Sequence, residues 1–407
     1  MRTLLYFGTL ILFGYSCASH SGEEINSTIP EGTWRFALQM QGAELPFTAE
    51  IVHLGDNASL LTIDNGGEKI EAHGRIVHAD TLIFQMPVYQ SSITLIRDSD
   101  DLLSGIFIDQ SRAHFRIPLI AEYGKDFRFT PTASSAQLAP RYRATIYTDD
   151  RSFDAVLKIN NQNGQLRATF LTKSGDYRYL AGNIMNEGVS LSSFDGSNAY
   201  LFHADIMGDS LANGTFLSGP VASRTWAARA DSTFSLPDPK SITYLKDSST
   251  VFDFEMPNQD GDTLRFSSLL GEKIYILDIM GSWCPNCMDA SLSLDSISAL
   301  YPDVEVIPIA FERYESLEEA RGSVFKMQDD LGLPRGFLFG GKANRSSTAA
   351  AFPALNGVFA YPTLIVCDRN GQPIRFYSGF YGPGAGKAYR DFVDDIIEVL
   401  DGLATRT

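Results

Sequence analysis

The sequence predicts a multidomain protein: an N-terminal antiparallel β-region made of duplicated barrel or sandwich modules, followed by a C-terminal α/β unit. Three observations carry this. Residues 32–231 are short alternating segments broken by turn dipeptides, that stretch repeats itself once, and strand-like and helix-like segments alternate beyond residue 250. At 407 residues the chain has the length for two or three cores.

The first element is MRTLLYFGTLILFGYSC, residues 1–17. Arg2 precedes an apolar run over residues 4–15 that is too short to span a bilayer and reads as the core of a signal peptide. The run ends in Gly14-Tyr15-Ser16-Cys17, a loose form of the bacterial lipobox, in which the Cys becomes the lipid-bearing N-terminus. The alternative is ordinary secretory cleavage at Ala18 or Ser19. Both predict export, and the lipobox reading predicts a periplasmic protein attached by Cys17 to a membrane of the bacterial envelope.

The β-region follows. Leu60-Leu61-Thr62-Ile63 before Asp64-Asn65-Gly66-Gly67 is typical of its strand-and-turn texture. Trp34-Arg35, Phe47, Gly74-Arg75-Ile76 and Gly105-Ile106-Phe107 find counterparts in Tyr142-Arg143, Phe153, Gly182-Asn183-Ile184 and Gly214-Thr215-Phe216, at spacings of 106 to 109 residues. This predicts two modules, residues 25–130 and 138–235, forming two small barrels or two halves of one sandwich. Trp34, Tyr142 and Trp226 are candidates to line a site there, set against the commoner role of core aromatics.

Residues 236–250, opening with Leu236-Pro237-Asp238-Pro239, read as a linker. The unit over residues 251–404 then predicts strands at 274–280, 304–310, 363–367 and 374–378. Helices are expected at 284–301, at 317–331 behind the capping box Ser316-Leu317-Glu318-Glu319, and at the C-terminus, where Tyr389, Phe392, Val393, Ile396 and Leu400 share one face.

Of four cysteines, Cys17, Cys284, Cys287 and Cys367, only Cys284 and Cys287 form a close pair. Trp283-Cys284-Pro285-Asn286-Cys287 follows a buried-type strand and opens a helix. Unpaired backbone N–H groups and the positive dipole end at that position stabilise a thiolate, and one helical turn returns Cys287 within disulfide reach. A zinc site would need further Cys or His ligands, but all six histidines lie at or before His203, and a c-type haem would need His where Met288 stands. The pair therefore reads as a dithiol–disulfide couple. Asp278 interrupts the apolar strand before it, and burying an unpaired carboxylate demands a reason. A hydrogen-bonded Asp near a strand end is the alternative.

These residues carry a resemblance. The segment 251–404 resembles the thioredoxin superfamily, and within it the TlpA/ResA-like extracytoplasmic thiol-disulfide oxidoreductases. The resemblance lies on Phe252-Asp253-Phe254 with Gly261, on residues 277–287, on Tyr361-Pro362-Thr363-Leu364-Ile365, on Asp368-Arg369-Asn370-Gly371 and on Gly379-Phe380-Tyr381-Gly382-Pro383. It implies a thioredoxin-like fold, protein disulfide reductase activity through Cys284 and Cys287, and no cofactor beyond that disulfide. Implied partners are extracytoplasmic client proteins with disulfides and a membrane thiol electron donor. Tyr361, Pro362 and Thr363 would form a cis-proline loop that takes the substrate chain, beside Trp283 as docking surface or core residue. Asp278 would accept the proton of Cys287, and Glu312, placed just after its strand, would stand near the site. Cys367 reads as an inert core thiol. Pro285-Asn286 departs from the dipeptides familiar in such proteins, and Met280 stands where an aromatic residue is frequent. Against the family pattern, residues 336–360 read as an insertion that could frame a partner site.

A formal net charge of −16 argues against nucleic acid and anionic surfaces as partners. Two other functions compete with the reductase reading. A peroxiredoxin-like peroxidase would want a Pro-x-x-x-Thr-x-x-Cys loop, which is absent before Cys284. The β-region is otherwise an envelope-binding module to which the redox unit is accessory.

Overall fold

A computed structural model describes residues 27–130, 132, 136–186, 188–247 and 251–405. The signal segment and Cys17 lie outside the described residues.

The duplicated region forms two antiparallel barrels. In the first, strands Gly32–Met40, Ala43–Gly55, Ala58–Asp64, Lys69–His78, Thr81–Gln85, Ser91–Arg97, Leu102–Asp109 and Arg116–Tyr123 each pair with the next. The last closes on the first, Trp34 opposite Tyr123 and Leu38 opposite Leu119. In the second barrel Arg141–Tyr147 closes on Ala222–Ala230 in the same way, and a short extra strand, Gly175–Asp176, folds back on Leu171 and Thr172.

The repeat has a steric cause. Gly74 and Gly182 occupy the fourth strand of each barrel proper, and Gly105 and Gly214 the seventh. A Cβ on any of the four would strike the neighbouring strand's backbone carbonyl, at Ile83, Ser190, Thr94 and Trp226 respectively. Tight closure of a small barrel brings strands that near, so only glycine fits. Trp34, Tyr142 and Trp226 are buried in the two barrel cores, with the indole N–H groups donating to the carbonyls of Pro30 and Thr215.

The barrels also pack on one another. Gly188–Phe194 is buried at every position because its outer face meets the first barrel, Phe47 and Phe194 stacking 4.9 Å apart. Arg128, buried between the barrels, donates to the Ser192 hydroxyl at 3.0 Å.

The C-terminal unit is a five-stranded mixed sheet in the order Leu338–Lys342, Val304–Glu312, Ile274–Met280, Thr363–Cys367, Pro373–Ser378, in which Thr363–Cys367 runs antiparallel to both its neighbours and the first three strands are parallel. Helices α1 (Pro285–Ser298) and α4 (Lys387–Ala404) cover one face through Leu294, Ile297, Ile396 and Leu400. α2 (Leu317–Asp330) packs through Val324 and Met327 beside the cysteines. On the other face Phe252, Phe254, Phe266 and Phe352 bury Tyr275, Leu277, Ile279 and Cys367. Cys367 is fully buried there, and burial pushes its thiol pKa up.

Three expectations need correction. Cys284 caps α1 instead of starting it, and α1 stops at Ser298. The second strand runs on to Glu312, which is buried within it. Residues 336–360 are no mere insertion: they supply the sheet's edge strand Leu338–Lys342 and the short helix α3 (Arg345–Ala351). Gly340 and Gly341 hide that strand, since glycine is a poor strand former.

Candidate redox site

The central strand Ile274–Met280 is buried along its whole length and delivers the chain to a turn at Gly281. A Cβ on Gly281 would meet the Trp283 ring and, at 2.8 Å, the Phe311 carbonyl, so the turn needs glycine. Trp283 folds back and donates its indole N–H to that carbonyl at 3.0 Å. Cys284 takes an extended backbone (φ −106°, ψ 111°) as N-cap of α1, with Pro285 in the first turn. Its sulfur accepts from the Cys287 N–H at 3.2 Å, so the cap that starts the helix is itself the candidate nucleophile.

On the other side, the Cys284 thiol donates to the Tyr361 carbonyl at 3.5 Å, and the Tyr361–Pro362 peptide is cis. Thr363 is buried just beyond, its hydroxyl donating to Ala360 O at 2.8 Å. Tyr361 meets Trp283 edge-on, 5.4 Å between centroids, and the Arg313 guanidinium covers the Trp283 ring at 5.1 Å. Trp283 therefore borders the cysteines at a half-buried position and is not buried in the core.

Behind the pair lie buried titratable groups. Cys287 is fully buried, and its pKa is pushed well up by burial, then by Cys284, then by Asp278. Asp278, 1% exposed, accepts one hydrogen bond, from Ser291 Oγ at 3.1 Å, and its other carboxyl oxygen has no partner. Burial lifts its pKa to about 7, with Ser291 opposing. Glu312 accepts from the Ser282 backbone N–H at 2.7 Å and the Ser282 hydroxyl at 2.9 Å, bracing the turn before Trp283. Its pKa also rises to about 7 through burial, against those two bonds. Asp278, Trp283, Tyr361 and Pro362 thus lie about Cys284 and Cys287, while Glu312 reaches the site through Ser282 and Thr363 bonds to Ala360. A carboxyl titrating near neutrality beside a buried thiol can take up and return its proton.

Both barrels also reach this site. From the second, Asp176 receives the Asn286 side-chain amide at 3.2 Å, placing a barrel residue against the dipeptide between the cysteines. Arg178 clamps Asp289 of α1 with two bonds of 2.9 Å and reaches Glu68 of the first barrel at 2.5 Å. The one available signal was the second module's longer turn at residues 173–179, against 65–68 in the first. From the first barrel, Val88 and Tyr89 join the cluster that holds Cys284 and Cys287. Nothing in their local pattern marked them.

Among the described residues no group of three or more His, Cys, Asp or Glu side chains is set for a metal, and no helix is long and apolar enough to cross a membrane. No protein-family model and no curated protein matches the chain. Solved structures do align. A putative protein disulfide isomerase from Bacteroides thetaiotaomicron matches at 20% identity, covering 39% of this chain and 92% of its own, with a TM-score of 0.29. A secreted thiol-disulfide isomerase from Corynebacterium glutamicum matches at 21%, covering 41% and 96%, with a TM-score of 0.30. Peroxidoxin BcpB from Mycobacterium tuberculosis matches at 17%, covering 38% and 98%, with a TM-score of 0.28. Likeness at this level decides neither fold nor chemistry.

Proposed function

We propose that the chain is a thioredoxin-type thiol-disulfide oxidoreductase of the TlpA/ResA kind, exported and held by Cys17 on an envelope membrane, that reduces disulfides of extracytoplasmic client proteins. The observation that supports the thiol-disulfide chemistry is the placement of Cys284: helix cap, bonded to Cys287 N–H, facing the Tyr361 carbonyl of a cis-proline loop, with Asp278 buried behind; export and the anchor rest on residues 1–17, and the reducing direction on the resemblance.

The chemistry follows from that arrangement. The Cys284 thiolate attacks one sulfur of the client disulfide; a Cys284–client disulfide forms and the second client sulfur leaves as a thiolate. Asp278 takes the Cys287 proton, Cys287 attacks the Cys284 sulfur, and the first client sulfur leaves. The client gains two electrons and the pair becomes a disulfide, which a membrane thiol donor then reduces. No cofactor beyond the cysteine pair takes part.

The test is a trap. Cys287→Ser, mixed with a disulfide, should accumulate an adduct on Cys284 visible by mass spectrometry, and Cys284→Ser should accumulate none. Absence of the Cys287→Ser adduct overturns the proposal.

A further inference from the structure

We propose that Val88 and Tyr89 are specificity-determining residues: carried by the first barrel, they gate Cys284, passing small disulfides and those on flexible polypeptide and refusing those fixed on a folded surface. This rests on the redox function above. Residues 86–90 join strands Thr81–Gln85 and Ser91–Arg97 at one end of the barrel. Val88 and Tyr89 are 3% and 6% exposed, packed in one cluster with Cys284, Cys287, Trp283 and Tyr361. Cys284 in turn is only 6% exposed. Disulfide exchange needs the incoming sulfur aligned on the attacking one, and a rigid protein surface cannot deliver it while this loop is seated.

Two features separate the loop from permanent core. Val88 holds φ at 67°, in the left-handed region that a β-branched residue avoids. The Tyr89 hydroxyl is buried with no hydrogen-bond partner. Both penalties vanish when the loop lifts, since Val88 can relax and the hydroxyl meets water. The seated loop is anchored at its rim. Asp330, at the end of α2, accepts the Val88 N–H at 2.8 Å. The pairing of Gln85 with Ser92 lies outside the loop, so lifting it leaves the barrel closed.

The experiment uses the full reduced chain and measures its oxidation by 2-hydroxyethyl disulfide and by insulin. Tyr89→Ala should raise the insulin rate at least about tenfold while the small-disulfide rate changes less than about threefold, because only a bulky partner waits on opening. Asp330→Ala, which removes the rim anchor and leaves the core intact, should act in the same direction. Equal changes for both disulfides, or none, overturn the gate. Alkylation of Cys284 by N-ethylmaleimide against a maleimide fixed through a short linker on a folded carrier protein reads the gate without redox chemistry. The wild type should discriminate against the bulky reagent and Asp330→Ala should do so less. Equal wild-type rates overturn the gate even where disulfide exchange proceeds. Discrimination without any oxidation by hydroxyethyl disulfide supports the gate and sinks the redox function instead.

Discussion

Asp278→Asn should make this protein more stable and less active at once. In the folded chain Asp278 is 1% exposed and its pKa rises from the ordinary 3.8 to about 7 because burial penalises the charged form. That difference corresponds to about 4 kcal/mol of preference for the neutral carboxyl. The sign follows directly. Below about pH 4 the group is neutral in both states and carries no penalty; above about pH 7 it is charged in both, and the folded state bears the whole cost. Stability therefore falls as pH rises between those values, and Asn, which never ionises, escapes the fall. The variant's advantage should grow from near zero at about pH 4 to at most about 4 kcal/mol at about pH 8, reduced by whichever amide group lacks a partner. The chain has three tryptophans, one in each barrel and Trp283 beside the cysteines. Urea unfolding read by Trp283 alone, in a Trp34→Phe/Trp226→Phe background, reports on the right unit. The same substitution removes the proton acceptor proposed for Cys287, so resolution of a preformed Cys284 mixed disulfide should slow about a hundredfold or more. A stability difference independent of pH refutes the titration argument, and an unchanged resolution rate refutes the catalytic one.

Three further outcomes are expected. Glu312→Gln keeps oxygen and amide within reach of Ser282 but removes a charge present only above about pH 7, so exchange rates of wild type and variant should coincide below about pH 6 and diverge above it, in a stopped-flow pH series. Arg178→Ala strands Glu68, Asp195 and Asp289 without their cation and should cost about 3–5 kcal/mol, with faster limited proteolysis between the second barrel and the redox unit. Gly182→Ala forces a methyl into the Ser190 carbonyl and should lower the second barrel's stability by about 3 kcal/mol or more, read by Trp226 fluorescence.

The sequence by itself determined whatever is written in local pattern. Alternation and turn dipeptides marked the β-region, and the recurring glycines marked its duplication, because each closes its own strand neighbourhood. The Cys284–Cys287 spacing at a strand-to-helix junction marked the candidate redox pair, and Asp278 stood out as a charge in an apolar strand. Glu312 was visible, but its burial was not, since that depends on Ser282 thirty residues away. The strand Leu338–Lys342 escaped because Gly340 and Gly341 carry no strand preference, and only an open sheet edge beside Val304–Glu312 recruits them. The choice between barrels and a sandwich fell to the pairing of Trp34 with Tyr123, which no local signal records. Tertiary structure alone brought Arg178 to Asp289 across 111 residues and Val88 to Asp330 across 242. Such contacts join a loop to a helix far along the chain, and each side, read locally, looks like an ordinary turn or an ordinary helix.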